Sequence, residues 1–148
     1  MATTEQIERI AALLREAHPG MALKKVNEST EGLGAVLLFL ADAEGPVSAG
    51  AVSAFLHVST ARVAVLTRKL EAKGLIVTGG RASDARVTSL RLSETGREAS
   101  RRLREELHEQ IGYLADQLGA ERMTEFARTA GEIQRALAER TNTDKRGT

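Results

Sequence analysis

The 148-residue chain contains no cysteine, which excludes disulfide scaffolds, thiolate metal sites and redox sensing through a thiol. It also lacks a long apolar run. The strongest, residues 35–41, is far too short to span a bilayer. The opening MATTEQIERIAALLREAH has no basic stretch leading into an apolar core, so no secretion signal and no membrane partner are expected, and the expected location is cytoplasmic. No glycine-rich phosphate loop follows a strand. His18, His57 and His108 are scattered without ligand spacing, and neither Ser59 nor Ser93 has a His–acid pair implied around it. No metal, no cofactor and no enzymatic activity are therefore expected.

What is present is a globular balance, 42% hydrophobic and 28% charged, with an uneven distribution of sign. The net charge is +1, yet residues 47–92 hold seven basic side chains (Arg62, Arg68, Lys69, Lys73, Arg81, Arg86, Arg91) against two acidic ones (Glu71, Asp84). That segment is +5 and the remainder −4, the electrostatic footprint of a surface that meets phosphates.

Apolar periodicity predicts the elements. Ile7, Ile10, Ala11 and Leu14 share one helical face over residues 4–18, which Pro19-Gly20 ends. Leu33, Val36, Leu37 and Leu40 mark a helix over about 29–42. Ser48 reads as the N-cap of a short helix over 49–56 that turns Val52 and Leu56 inward, and His57-Val58 as a turn. Ser59 caps a helix from Thr60 to about Lys73 that buries Val63, Leu66 and Leu70 and is closed by Gly74. Residues 75–77 and 87–92 read as a two-stranded hairpin with a long polar tip over 79–86. Ser93-Glu94 opens a long helix to about Gly119, with Leu103, Leu107, Ile111, Leu114 and Leu118 in register. A last helix over 120–140 carries Met123, Phe126, Ala130, Ile133 and Leu137 on one face, and 141–148 is expected to be a frayed, disordered tail. Helix, turn, helix and hairpin, in that order, are a winged helix-turn-helix. The expected fold class is mainly α (α+β), with an N-terminal dimerisation helix in 1–28, a DNA-binding domain in 29–92 and dimerisation helices in 93–140.

If Val63, Leu66 and Leu70 face the core, then Thr60, Ala61, Arg62, Ala64, Val65, Arg68 and Lys69 face outward. Ser59 and Thr60 suit phosphates, Arg62 suits a guanine edge, and Arg68 and Lys69 suit the DNA backbone. Arg81 and Arg86 sit where a wing could enter the minor groove.

Three linked motifs then become specific: Leu70-Glu71-Ala72-Lys73-Gly74-Leu75-Ile76, Asp84-Ala85-Arg86, and Leu92-Ser93-Glu94-Thr95-Gly96. Over 47–96 the chain resembles the DNA-binding core of the MarR family, whose pattern is an LExKGLV junction, an Asp-x-Arg wing and an LTxxG continuation. The resemblance implies that Asp84 orients Arg86 toward the minor groove and that the flanking helices form a two-fold dimer. It also implies that a small amphipathic or aromatic ligand binds between the DNA-binding lobe and the dimer helices, where position suggests His18, Met21, Phe39 and Tyr113. Departures are Ala85 in place of a basic residue, Val65 where Arg is frequent, and Phe55 where a polar residue is usual. His57 stands where glycine is common, which predicts a positive φ. The expected function is a homodimeric repressor bound to a pseudo-palindromic double-stranded operator. The alternative is a winged-helix protein-interaction module without DNA affinity.

Overall fold

A computed structural model describes residues 1–17, 32–81 and 84–146, with backbone alone for 80, 81, 84–87 and 141–146. It divides into two compact units, Met1–Leu107 and His108–Thr148. The elements in order are α1 (Thr4–Ala17), α2 (Leu33–Asp42), β1 (Val47–Ser48), α3 (Ala49–Leu56), α4 (Thr60–Ala72), β2 (Ile76–Arg81), β3 (Asp84–Leu92), α5 (Glu94–Leu118) and α6 (Ala120–Arg146).

The core of the first unit is built from the residues whose spacing marks them as inward. Val36, Leu37 and Leu40 of α2 meet Val52 of α3, Val63, Leu66 and Leu70 of α4, and Ile76, Leu90 and Leu92 of the sheet. Val36, Val52, Val63, Leu70 and Leu90 are fully buried, each side chain worth about 1.5–3 kcal/mol of transfer free energy. Caps fix where the helices begin. Ser48 Oγ accepts the Ala51 N–H at 3.1 Å and Ser59 Oγ accepts the Arg62 N–H at 3.1 Å. Between these two helices His57 adopts φ 53°, the left-handed conformation expected at that turn. The turn is braced by Ser53 Oγ donating to the Val58 carbonyl at 2.6 Å.

The sheet differs from the two-stranded expectation. It has three antiparallel strands in the order β1-β3-β2, because Val47 and Ser48 pair with Leu90 and Ser89. A two-residue strand leaves no alternation for a period-two pattern to detect. The hairpin is also longer than expected. β2 runs through Gly79 and Gly80 to Arg81 and β3 starts at Asp84, so only residues 82–83 separate the strands. Glycine weakens a strand by backbone entropy and by missing side-chain contacts, but here both glycines pair in register, with Ser89 and Thr88. The register then shifts, from Gly80↔Thr88 to Arg81↔Asp84, leaving Ala85, Arg86 and Val87 without a registered partner.

The junction motifs interlock. Ser93 N–H donates to the Leu75 carbonyl at 3.0 Å. Ser93 Oγ donates to the Gly74 carbonyl at 2.6 Å and accepts the Gly96 N–H at 2.9 Å. One hydroxyl thus caps α5 and ties it to the end of α4. Gly96 is required by this contact, since a Cβ there would lie 1.8 Å from the Leu75 oxygen. Gly74, at φ +68°, takes the left-handed conformation that ends α4.

α5 begins at Glu94 as expected, and α6 continues to Arg146, beyond Arg140, where the helix was expected to give way to a frayed tail. Residues 141–146 are polar but contain neither glycine nor proline, so nothing in them breaks a helix. On α5, Glu98 accepts from both Arg101 and Arg102, and the Arg101 guanidinium beside it holds its carboxyl below the usual carboxylate range. Arg104 reaches across to Asp42 at the end of α2, at 2.5 Å. In the second unit no described residue from 108 to 140 is buried.

Candidate nucleic-acid interface

The burial of Val63, Leu66 and Leu70 turns the opposite face of α4 to solvent. Ser59, Thr60, Ala61, Arg62, Ala64, Arg68 and Lys69 are all exposed there, and Val65 is half-buried. The helix N-terminus therefore presents Thr60 and the Arg62 side chain beside a cap already formed by Ser59. Its first-turn N–H groups supply the partial positive charge that favours a phosphate.

The cations of this face differ from the paired arginines of α5 and α6. Arg101, Arg102, Arg104 and Arg128 each pair with a carboxylate. Arg62, Arg68 and Lys69 have no carboxylate partner among the described residues. Arg68 instead donates from Nε to the Ala64 carbonyl at 3.3 Å, which lays its chain back along the helix. Three unneutralised cations on one helix face form a surface suited to a polyanion.

Arg81 is the last residue of β2 and Asp84 the first of β3, with Arg86 two positions along. Arg81 and Asp84 are registered opposite each other, and Arg86 falls within the shifted stretch. Their side chains lie outside the described part of the structure, as do His18 and Met21. Phe39 stacks on Phe55 with ring centroids 4.3 Å apart, and Phe55 is 59% exposed. Tyr113, in the second unit, is 65% exposed. Among the described residues no group of three or more His, Asp and Glu could hold a metal ion, and no single helix is long and apolar enough to cross a membrane.

Two features of the site escape a reading by apolar pattern. Glu71 accepts a hydrogen bond from Thr78 Oγ1 on β2 at 2.5 Å. The Thr67 hydroxyl of α4 is buried without a partner among the described residues. Both are polar details of packing between elements, which periodicity does not encode.

Residues 34–87 match the family model described as the MarR family. No curated protein matches the chain significantly. Among solved structures it is similar to the S. aureus MepR–DNA complex, at 20% identity and TM-score 0.63, covering 93% of this chain and 99% of that one. It is similar to Streptococcus pneumoniae FabT in complex with DNA, at 21% identity and TM-score 0.62, covering 90% and 98%. It is also similar to Bordetella bronchiseptica BpsR, described for regulation of its DNA binding by 6-hydroxynicotinic acid, at 15% identity and TM-score 0.65, covering 90% and 96%. The match to the MarR-family model across residues 34–87, together with a fold shared over nearly the whole chain with these structures, gives the protein a winged helix-turn-helix fold similar to that of MarR-family regulators.

Proposed function

We propose that the chain is a sequence-specific double-stranded DNA-binding regulator, a homodimeric repressor that reads a pseudo-palindromic operator in the cytoplasm and has no enzymatic activity. The observation that carries this reading is the outward face of α4, where exposed Arg62, Arg68 and Lys69 have no carboxylate partner among the described residues and lie beside a capped helix N-terminus. In this reading α4 enters the major groove. Arg62 makes a bidentate contact to a guanine, Ser59 and Thr60 meet phosphate, and Arg68 and Lys69 neutralise the backbone. Val65 offers an apolar contact in place of a further cation. Arg81 and Arg86 anchor the wing in the minor groove, with Asp84 orienting Arg86.

The dimer is supported by exposed apolar faces. Ile7, Ile10 and Leu14 of α1 and Phe126, Ile133 and Leu137 of α6 are each about half exposed or more, an arrangement that a two-fold partner would cover. Two α4 helices about 34 Å apart would then read successive major grooves. Release by a small amphipathic or aromatic ligand is supported by the ligand-regulated relative BpsR and by the accessible Phe39–Phe55 pair. His18, Met21 and Tyr113 complete the proposed ligand set, and the ligand would act by shifting the population of lobe spacings.

The test is fluorescence anisotropy with duplex DNA from upstream of this gene. Arg62→Ala should weaken binding by about 1–3 kcal/mol and relax base preference at one position per half-site. Arg86→Ala should weaken binding as well. Unchanged affinity in both variants would refute the docking.

A further inference from the structure

The recognition helix and the wing must reach two grooves of one duplex together, so the angle between them is part of the binding site. Backbone bonds close the end of α4, with Gly74 N–H donating to the Glu71 carbonyl at 2.9 Å and Leu75 N–H to the Leu70 carbonyl at 2.9 Å. These stop short of β2. Among the described residues one side-chain hydrogen bond joins α4 to the wing strand, Thr78 Oγ1 donating to Glu71 Oε1 at 2.5 Å. Thr78 stands opposite Leu90 in the sheet, two residues from buried Ile76 and so on the same inward face of β2.

Glu71 is an electrostatic misfit. It is one of two acidic side chains in a segment with seven basic ones, it is exposed, and no cation pairs with it among the described residues. A carboxylate so close to a phosphate-binding surface opposes DNA binding by simple Coulomb repulsion. Its position is accounted for by what it accepts: a short, charge-assisted bond from the wing. We infer that Glu71 and Thr78 form a strut that sets the wing angle relative to the recognition helix, making Glu71 a positioning residue for DNA binding. This rests on the DNA-binding reading above.

The strut and the repulsion predict opposite signs. Removing the charge alone tightens binding to any duplex, whereas removing the strut weakens binding to the duplex that both elements must grip. The full-length protein and its Glu71→Ala, Thr78→Val and Thr78→Ser variants are titrated against the upstream duplex and a scrambled duplex of equal length. Glu71→Ala and Thr78→Val should each weaken binding to the upstream duplex by about three- to tenfold. Thr78→Ser, which keeps the hydroxyl, should stay within about twofold of the parent. The double variant Glu71→Ala/Thr78→Val should lose no more than either single one. On the scrambled duplex Glu71→Ala should bind as tightly as the parent or more so. Equal tightening by Glu71→Ala on both duplexes would overturn the strut. A second readout needs no DNA: amide exchange in β2 of the free protein should be faster in both Glu71→Ala and Thr78→Val. Unchanged exchange would overturn the strut even if the parent bound neither duplex, an outcome that would itself refute the DNA-binding reading alone.

Discussion

The winged-helix lobe and the terminal helices use apolar residues in opposite ways. In the lobe, Val36, Val52, Val63, Leu70 and Leu90 are fully buried and drawn from four different elements. In α1 no residue is buried, and Ile10, Leu13 and Leu14 are each more than half exposed. Along α6, Ile133 and Leu137 are exposed at 56% and 59%. Both regions are amphipathic in sequence, so periodicity alone does not separate them. The difference teaches that the lobe completes its core within one chain, whereas the described apolar stripes of the terminal helices remain largely exposed.

The largest expected effect strikes the lobe where its motifs interlock. Gly96→Ala places a methyl group against the Leu75 carbonyl, 1.8 Å from its oxygen. Backbone cannot yield as a flexible side chain does, so urea denaturation should register a loss of about 3 kcal/mol or more. At a helix position free of such contact the same change stabilises by about 1 kcal/mol. The sign therefore reports the close approach directly.

Leu70→Ala should cost about 2–5 kcal/mol through the cavity it leaves in the core. The paired substitution Ile133→Glu/Leu137→Glu sharpens the contrast. It should leave the lobe folded but raise the dissociation constant of the proposed dimer about tenfold or more, as sedimentation velocity would show. Were the pair to unfold the lobe, or to leave self-association unchanged, the two regions would not differ as described.

The smallest effect lies in the turn between α3 and α4. His57 holds φ 53° and ψ 40°, a conformation that costs a non-glycine residue about 1–2 kcal/mol relative to the right-handed helix. His57→Gly removes that strain but adds conformational freedom to the unfolded chain. Thermal unfolding should therefore show a net gain of up to about 1 kcal/mol.

Much of the lobe was legible because its signals are local. Ser48 and Ser59 are caps, Gly74 is a left-handed helix end, and the 3–4 spacing of Val63, Leu66 and Leu70 is a buried stripe; each depends on a few adjacent residues. The left-handed turn at His57 was legible from its place where glycine is common. What escaped notice depends on distant partners. Strand β1 exists because Val47 and Ser48 find Leu90 and Ser89 some forty residues on. Gly79 and Gly80, which resemble loop residues by composition, remain strand because β3 supplies their partners. Gly96 stood out only as part of a motif, and its physical necessity is the Leu75 carbonyl on another element. The outward face of α4 was legible once its inward face was known, but Glu71 and its bond to Thr78 were not, since a hydrogen bond between elements leaves no periodic trace.

The most direct test of the central claim is the salt dependence of affinity for duplex DNA from upstream of the gene, measured with the binding stoichiometry. A dimer that neutralises four phosphates with Arg68 and Lys69 of its two chains, and up to eight with the wing arginines Arg81 and Arg86 as well, predicts two chains per duplex. It also predicts a log–log slope against salt concentration between about −4 and −7. A slope near zero, or no measurable binding even at low salt, would contradict the account and leave the winged helix as a protein-interaction module.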